Sequence, residues 1–116
     1  MTRLPLLLPI ALLLVPLLSA AGISGAWQVF TTAESGDEIE WKMVIVEQDG
    51  KLSGTLSSEL GDFTLENLKF DSGVLTFKVI IDSEDFLVDA RIHGSDVEGN
   101  YKSRSEKGTL KGKQQS

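Results

Sequence analysis

Residues Lys42 to Ser57, KMVIVEQDGKLSGTLS, leave the backbone little choice: they read as two β-strands turning at Asp49-Gly50. An Asp-Gly pair supplies the two positive φ angles of a type I′ turn, and apolar residues flank it on both sides. With these two residues as the loop, Ile45 lies opposite Gly54, Met43 opposite Leu56 and Glu47 opposite Leu52, so one face of the hairpin is mostly apolar. The other face pairs Val46 with Ser53, Val44 with Thr55 and Lys42 with Ser57, which suits contact with water.

The rest of the chain repeats this hairpin. Turn signals recur every ten to fourteen residues or so. They fall at Ser35-Gly36-Asp37, Asp49-Gly50, Leu60-Gly61-Asp62, Ser72-Gly73, Ser83-Glu84, Gly94-Ser95 and Ser105-Glu106, and they separate eight strands. No segment carries apolar residues at helical spacing, and no linker divides the chain.

Residues 1–21 are different in kind. One basic residue, Arg3, precedes an apolar run from Leu4 to Leu18 and then Ser19, Ala20 and Ala21, the pattern of a secretory signal cleaved after Ala21. Pro5, Pro9 and Pro16 interrupt that run, and it falls short of the roughly 20 residues a spanning helix needs. The expected location is secreted or periplasmic. Cleavage leaves 116 − 21 = 95 residues, 22–116, enough for a single small domain. That domain has neither proline nor cysteine, so in an oxidising compartment it must be held by packing and backbone hydrogen bonds. Losing Arg3 takes the formal charge from −6 to −7, which argues against nucleic acid and anionic membranes as partners.

The registers check one another, because a slip of one residue would place polar residues on the apolar face. Around Ser83-Glu84 the expected pairs are Ile81 with Phe86, Val79 with Val88, Phe77 with Ala90 and Leu75 with Ile92. Around Gly94-Ser95, a glycine-first type II′ turn, they are Ile92 with Val97, Ala90 with Gly99 and Val88 with Tyr101. Around Ser105-Glu106, Tyr101 meets Leu110 and Gly99 meets Gly112; around Ser72-Gly73, Phe70 meets Leu75 and Leu68 meets Phe77. The alternation slips at Glu66-Asn67, which predicts a β-bulge. A meander with one continuous apolar face loses its two exposed edges if its first and last strands pair. The expected fold is therefore an all-β, eight-stranded antiparallel up-and-down barrel, with a two-sheet β-sandwich as the alternative. Gly54, Ala90, Gly99 and Gly112 are the small inner residues that let strands curl.

Gly25-Ala26-Trp27 at the start of the first strand resembles the G-x-W signature of the calycin barrels, the lipocalins and avidins. Together with Asp49-Gly50-Lys51-Leu52-Ser53-Gly54-Thr55, the order of pieces is similar to the first three strands of an avidin. The resemblance implies that Trp27 plugs one end of the barrel. It does not imply biotin binding: Val29 stands where avidins place a polar residue, Leu56 where they place a tyrosine, and Trp27 and Trp41 are the only tryptophans. Nor does the turn His93-Gly94-Ser95-Asp96 supply the Thr-Asp-Tyr-like element of lipocalins, while Arg104 sits in the seventh hairpin and not after the last strand. The chain is most similar to the small lipocalin-like domains of secreted bacterial proteins.

An enzyme is not expected. His93 is the only histidine, and alternation sets it on the outer face beside a turn; no nucleophile with a base is recognisable. Glu34, Asp37, Glu38 and Glu40 cluster near the first turn without the spacing of a calcium loop, and Asp82, Glu84 and Asp85 likewise read as solvated rim charges. No metal or cofactor is expected. Two non-enzymatic roles remain. The inward set includes Trp27, Trp41, Met43, Leu56, Phe77, Phe86 and Tyr101, with Ile39, Ile45, Leu52, Leu68, Phe70, Leu75, Val79, Ile81, Val88, Ile92, Val97 and Leu110. Such volume points to a barrel filled by its own side chains and acting through its outer surface or loops on a protein partner. Val44, Val46, Ile80 and Leu87 are the outward apolar candidates for that contact or for weak self-association of a monomer. The alternative is a carrier of a small apolar ligand, held by the first seven residues of that inward set. A pocket of a few hundred Å3 at the rim opposite Trp27 distinguishes the carrier from the filled barrel.

Overall fold

A computed structural model describes residues 22–115, so the reading of 1–21 as a secretory signal lies outside the described residues. Among the described residues every element is an antiparallel strand: β1 (Gly25–Ala33), β2 (Glu38–Gln48), β3 (Lys51–Ser58), β4 (Gly61–Thr64), β5 (Glu66–Asp71), β6 (Val74–Ile81), β7 (Glu84–His93), β8 (Asp96–Lys102) and β9 (Lys107–Gln114). Their spatial order is β4-β3-β2-β1-β9-β8-β7-β6-β5. The first and last strands pair from Trp27 with Gln114 to Ala33 with Gly108, which closes the meander into a nearly complete up-and-down barrel.

Nine strands stand where eight were expected because the fourth changes partner half-way. β4 pairs with β3, from Ser58 opposite Gly61 to Thr55 opposite Thr64. The Leu65 amide then donates to the Gly54 carbonyl at 3.0 Å. Beyond it the chain bends away and β5 joins β6, with Phe70 opposite Leu75. The bend contains the expected bulge: the register shifts between Glu66 and Lys69, and Asn67 sits at φ 54°, a left-handed conformation that Asn tolerates better than most residues.

The hairpin at Asp49-Gly50 has the expected register throughout, and both residues take positive φ, 55° and 78°. The turn at Gly94-Ser95 also holds, with Ile92 opposite Val97 and Ala90 opposite Gly99. Two registers differ by two residues. Asp82 and Ser83 occupy the turn, with φ of 52° and 64°, so Val79 faces Phe86, Phe77 faces Val88 and Leu75 faces Ala90. Outside, Ile80 accordingly faces Asp85 and Leu87 faces Lys78. The last hairpin has a four-residue loop, Ser103 to Glu106, closed by the Ser103 amide donating to the Glu106 carbonyl at 2.7 Å; Tyr101 thus faces Gly108, and Gly99 faces Leu110. A shift of two leaves every side chain on its expected face.

The core is continuous around the wall: Val29, Trp41, Met43, Ile45, Leu56, Leu65, Leu75, Phe77, Val79, Val88, Ala90, Val97 and Leu110 are buried, with Trp27 and Ile23 at one end. The strands curl where inner residues have no side chain. A Cβ at Gly54 would stand 2.5 Å from the Val44 carbonyl oxygen and 2.9 Å from Leu65 Cδ1, and one at Gly99 would strike the Asp89 and Ala90 backbone. Gly54→Val is therefore expected to lower stability by about 2 kcal/mol or more, the scale of overpacking a core against a backbone that cannot yield. Chemical denaturation measures it, and an unchanged midpoint would show that Gly54 has room for a side chain.

Candidate functional site

The two ends of the barrel are built differently. The end bearing the Asp49-Gly50, Ser72-Gly73 and Gly94-Ser95 turns is plugged by Trp27, fully buried, whose Nε1–H donates to the Ile23 carbonyl at 2.9 Å. Ile23 is itself buried, in the short segment preceding β1. Gln114 ties that segment down, its Nε2 donating to the carbonyls of Gly22 and Ser24, each at 3.1 Å. An indole N–H removed from water needs such a partner, and here the chain supplies it within one turn of backbone.

The opposite end carries the loops β1–β2, β3–β4, β6–β7 and β8–β9, and there a cavity of about 250 Å3 opens. Trp41, Leu56, Val79, Phe86, Val88 and Leu110 supply apolar wall; Tyr101 and Thr31 add hydroxyls, and Leu60, Asp82, Glu84 and Glu106 stand in its rim. Of the seven residues expected to hold a ligand, Trp41, Leu56, Phe86 and Tyr101 line this cavity. Trp27, Met43 and Phe77 are buried in the core, at 0%, 1% and 4% exposure. The side-chain volume that pointed to an interior filled throughout does fill the Trp27 half. It does not fill the other half, where the cavity lies.

The walls of the cavity are held by neighbours. The Trp41 Nε1–H donates to Thr31 Oγ1 at 3.0 Å, and its ring meets Phe63 edge-on with centroids 6.1 Å apart. Phe86 lies 6.1 Å from Tyr101 at a tilt of 48°. Burial raises the pKa of the Tyr101 hydroxyl, and the charges of Glu106 and Asp37 raise it further, so the phenol stays protonated and faces a negative field.

Glu84 organises the rim. Its Oε2 accepts from the Ser105 amide at 2.9 Å and the Ser105 hydroxyl at 2.6 Å, latching the β8–β9 loop onto the start of β7. Ser103 Oγ accepts from the Glu106 amide at 3.1 Å inside the same loop. Hydrogen bonds from Ser103 and then Ser105 favour the charged carboxylate, Arg104 adds to them, and the Glu84 pKa falls from 4.5 to about 2. Among the described residues no three histidines or carboxylates gather closely enough to hold a metal ion.

Thr31 and the rim residues were absent from the expected site. Thr31 follows from continuing the alternation Trp27, Val29, Thr31 along β1, and the rim follows from the meander itself, since alternate turns fall at one end.

A redesigned β-barrel of solved structure superposes on this chain with a TM-score of 0.58 at 13% identity, covering 84% of this chain and 95% of that one. Likeness at that identity shows the β-barrel fold alone. No protein-family model and no curated protein matches the chain.

A lowered pKa means the latch contributes fully above pH 4.5 and is lost as pH falls through about 2. A carboxyl titration of the folded protein by NMR is expected to place Glu84 near 2, with the Ser105 amide shifting at the same midpoint. Glu84→Gln should abolish that transition; a midpoint near 4.5 would show that the latch does not form.

Proposed function

We propose that this protein is an exported, non-enzymatic barrel that carries a small apolar ligand in the mouth opposite Trp27. The observation that carries this reading is the cavity of about 250 Å3, apolar along its walls, sited at one end of a barrel whose other end is plugged. Small-molecule sites are concave, mostly apolar and furnished with a few fixed polar groups, here the Tyr101 and Thr31 hydroxyls. An apolar cavity of about 150 Å3 in another protein accommodates benzene, so the volume suits a ligand of one or two rings or a short chain.

The outer surface offers less. Val46, Ile80 and Leu87 are 46%, 41% and 48% exposed, but Val46 lies on β2 and the other two on β6 and β7, well separated in the strand order. Ile80 and Leu87 are further separated by the Lys78 side chain, within 4.0 Å of Asp85. Scattered apolar residues of this kind are ordinary on soluble proteins. Support for a calycin-like assignment rests on Gly25-Ala26-Trp27 and on Trp27 lying at the plugged end. Support for secretion or periplasmic location rests on residues 1–21, with cleavage after Ala21.

Titrating the delipidated protein with a neutral aromatic probe is expected to give saturable one-to-one binding reported by Trp41 fluorescence. Ile81→Phe places a larger ring on the cavity wall near the β6–β7 turn, at a position only partly buried. It should weaken binding about tenfold or more while leaving the denaturation midpoint near that of the parent. Absence of saturable binding by the folded protein would overturn the carrier reading.

A further inference from the structure

The cavity has a sign as well as a shape. Among the described residues, three carboxylates, Asp82, Glu84 and Glu106, line it and no basic side chain does. The negative field reaches inside, since Glu106 and Asp37 both act on the Tyr101 hydroxyl. Of the nearby basic groups, Lys107 stands 3.8 Å from Glu34, while Lys102 and Arg104 line a neighbouring groove that shares Glu84 with the mouth, so that Arg104 offsets part of the Glu84 charge and leaves Asp82 and Glu106. Glu84 stays ionised down to about pH 2, so its charge persists across the physiological range.

Resting on the carrier reading, we propose that the ligand of the mouth is an organic cation. Its apolar body would lie among Trp41, Phe86 and Tyr101 and its ammonium group at the carboxylates of Asp82, Glu84 and Glu106. The aromatic walls reinforce the choice, because a cation near a ring face gains from the ring quadrupole whereas an anion is repelled. An anionic ligand such as a fatty acid, equally apolar in its body, would bring its carboxylate against three others on entering.

Three isosteric probes separate this inference from the reading beneath it: naphthylmethylammonium, naphthylmethanol and naphthoate, titrated calorimetrically at low and high salt. The ammonium is expected to bind about tenfold more tightly than the alcohol at low salt, the carboxylate more weakly than either, and the preference should shrink as salt is added. The double variant Asp82→Asn/Glu106→Gln, which spares the Glu84 latch, should lose most of the ammonium's advantage over the alcohol. Equal binding of all three probes, or a full preference retained in the double variant, would overturn the cation assignment and leave the carrier standing. Binding of none would overturn both.

Discussion

The ladder between β1 and β9 is the contact on which the remaining structure depends. Trp27 opposite Gln114, Val29 opposite Gly112 and Thr31 opposite Leu110 bring the first and last strands side by side. Without that pairing, β1 and β9 would each present a row of unpaired amides and carbonyls, and the apolar face would be open to water. With it, the remaining edges are the short β4 and β5, joined through Leu65 and interrupted by the bulge at Asn67. A chain without cysteine thus obtains its cohesion from a closed ladder and a shared core. The closeness is possible because Gly112 lets the Gln28 and Val29 backbone approach where a Cβ would collide.

Closure also makes the two ends unequal. At the Trp27 end the same ladder brings Gln114 within reach of the Gly22 and Ser24 carbonyls, so residues Gly22 to Ser24 are tied to that end. At the other end the β8–β9 loop is latched to the start of β7 by Glu84. The cavity sits between Trp41 and that rim. A plug at one end, a latched loop at the other and acidic side chains around the opening are the features from which the ligand's place and charge are argued.

Much of this was legible in the residues, for identifiable reasons. Asp49-Gly50, Ser72-Gly73 and Gly94-Ser95 announce their turns through glycine, and the registers around them were read directly. Asp82-Ser83 reaches the same left-handed conformation without glycine, so the turn was placed one residue late and the register two residues out. The inward set survived that error because side chains alternate with a period of two. The partner change at Leu65 was not legible: it depends on how far the barrel wall must bend, which no local pattern records. Nor was the cavity, since alternation tells which side chains point inward but not how much of the interior they fill.

The central claim is that one end of the interior is sealed and the other is hollow, and the two indoles report on it separately. Trp27 and Trp41 each donate from Nε1, to Ile23 and Thr31, and each is at most 5% exposed. Hydrogen exchange at the two indole nitrogens, followed by NMR in the ligand-free protein, is the most direct test. A sealed Trp27 is expected to exchange only with global unfolding, while Trp41, beside a cavity open at the rim, exchanges much faster through local motion. Equal, slow exchange at both indoles would contradict the account, because it would mean that the mouth is packed as tightly as the plugged end.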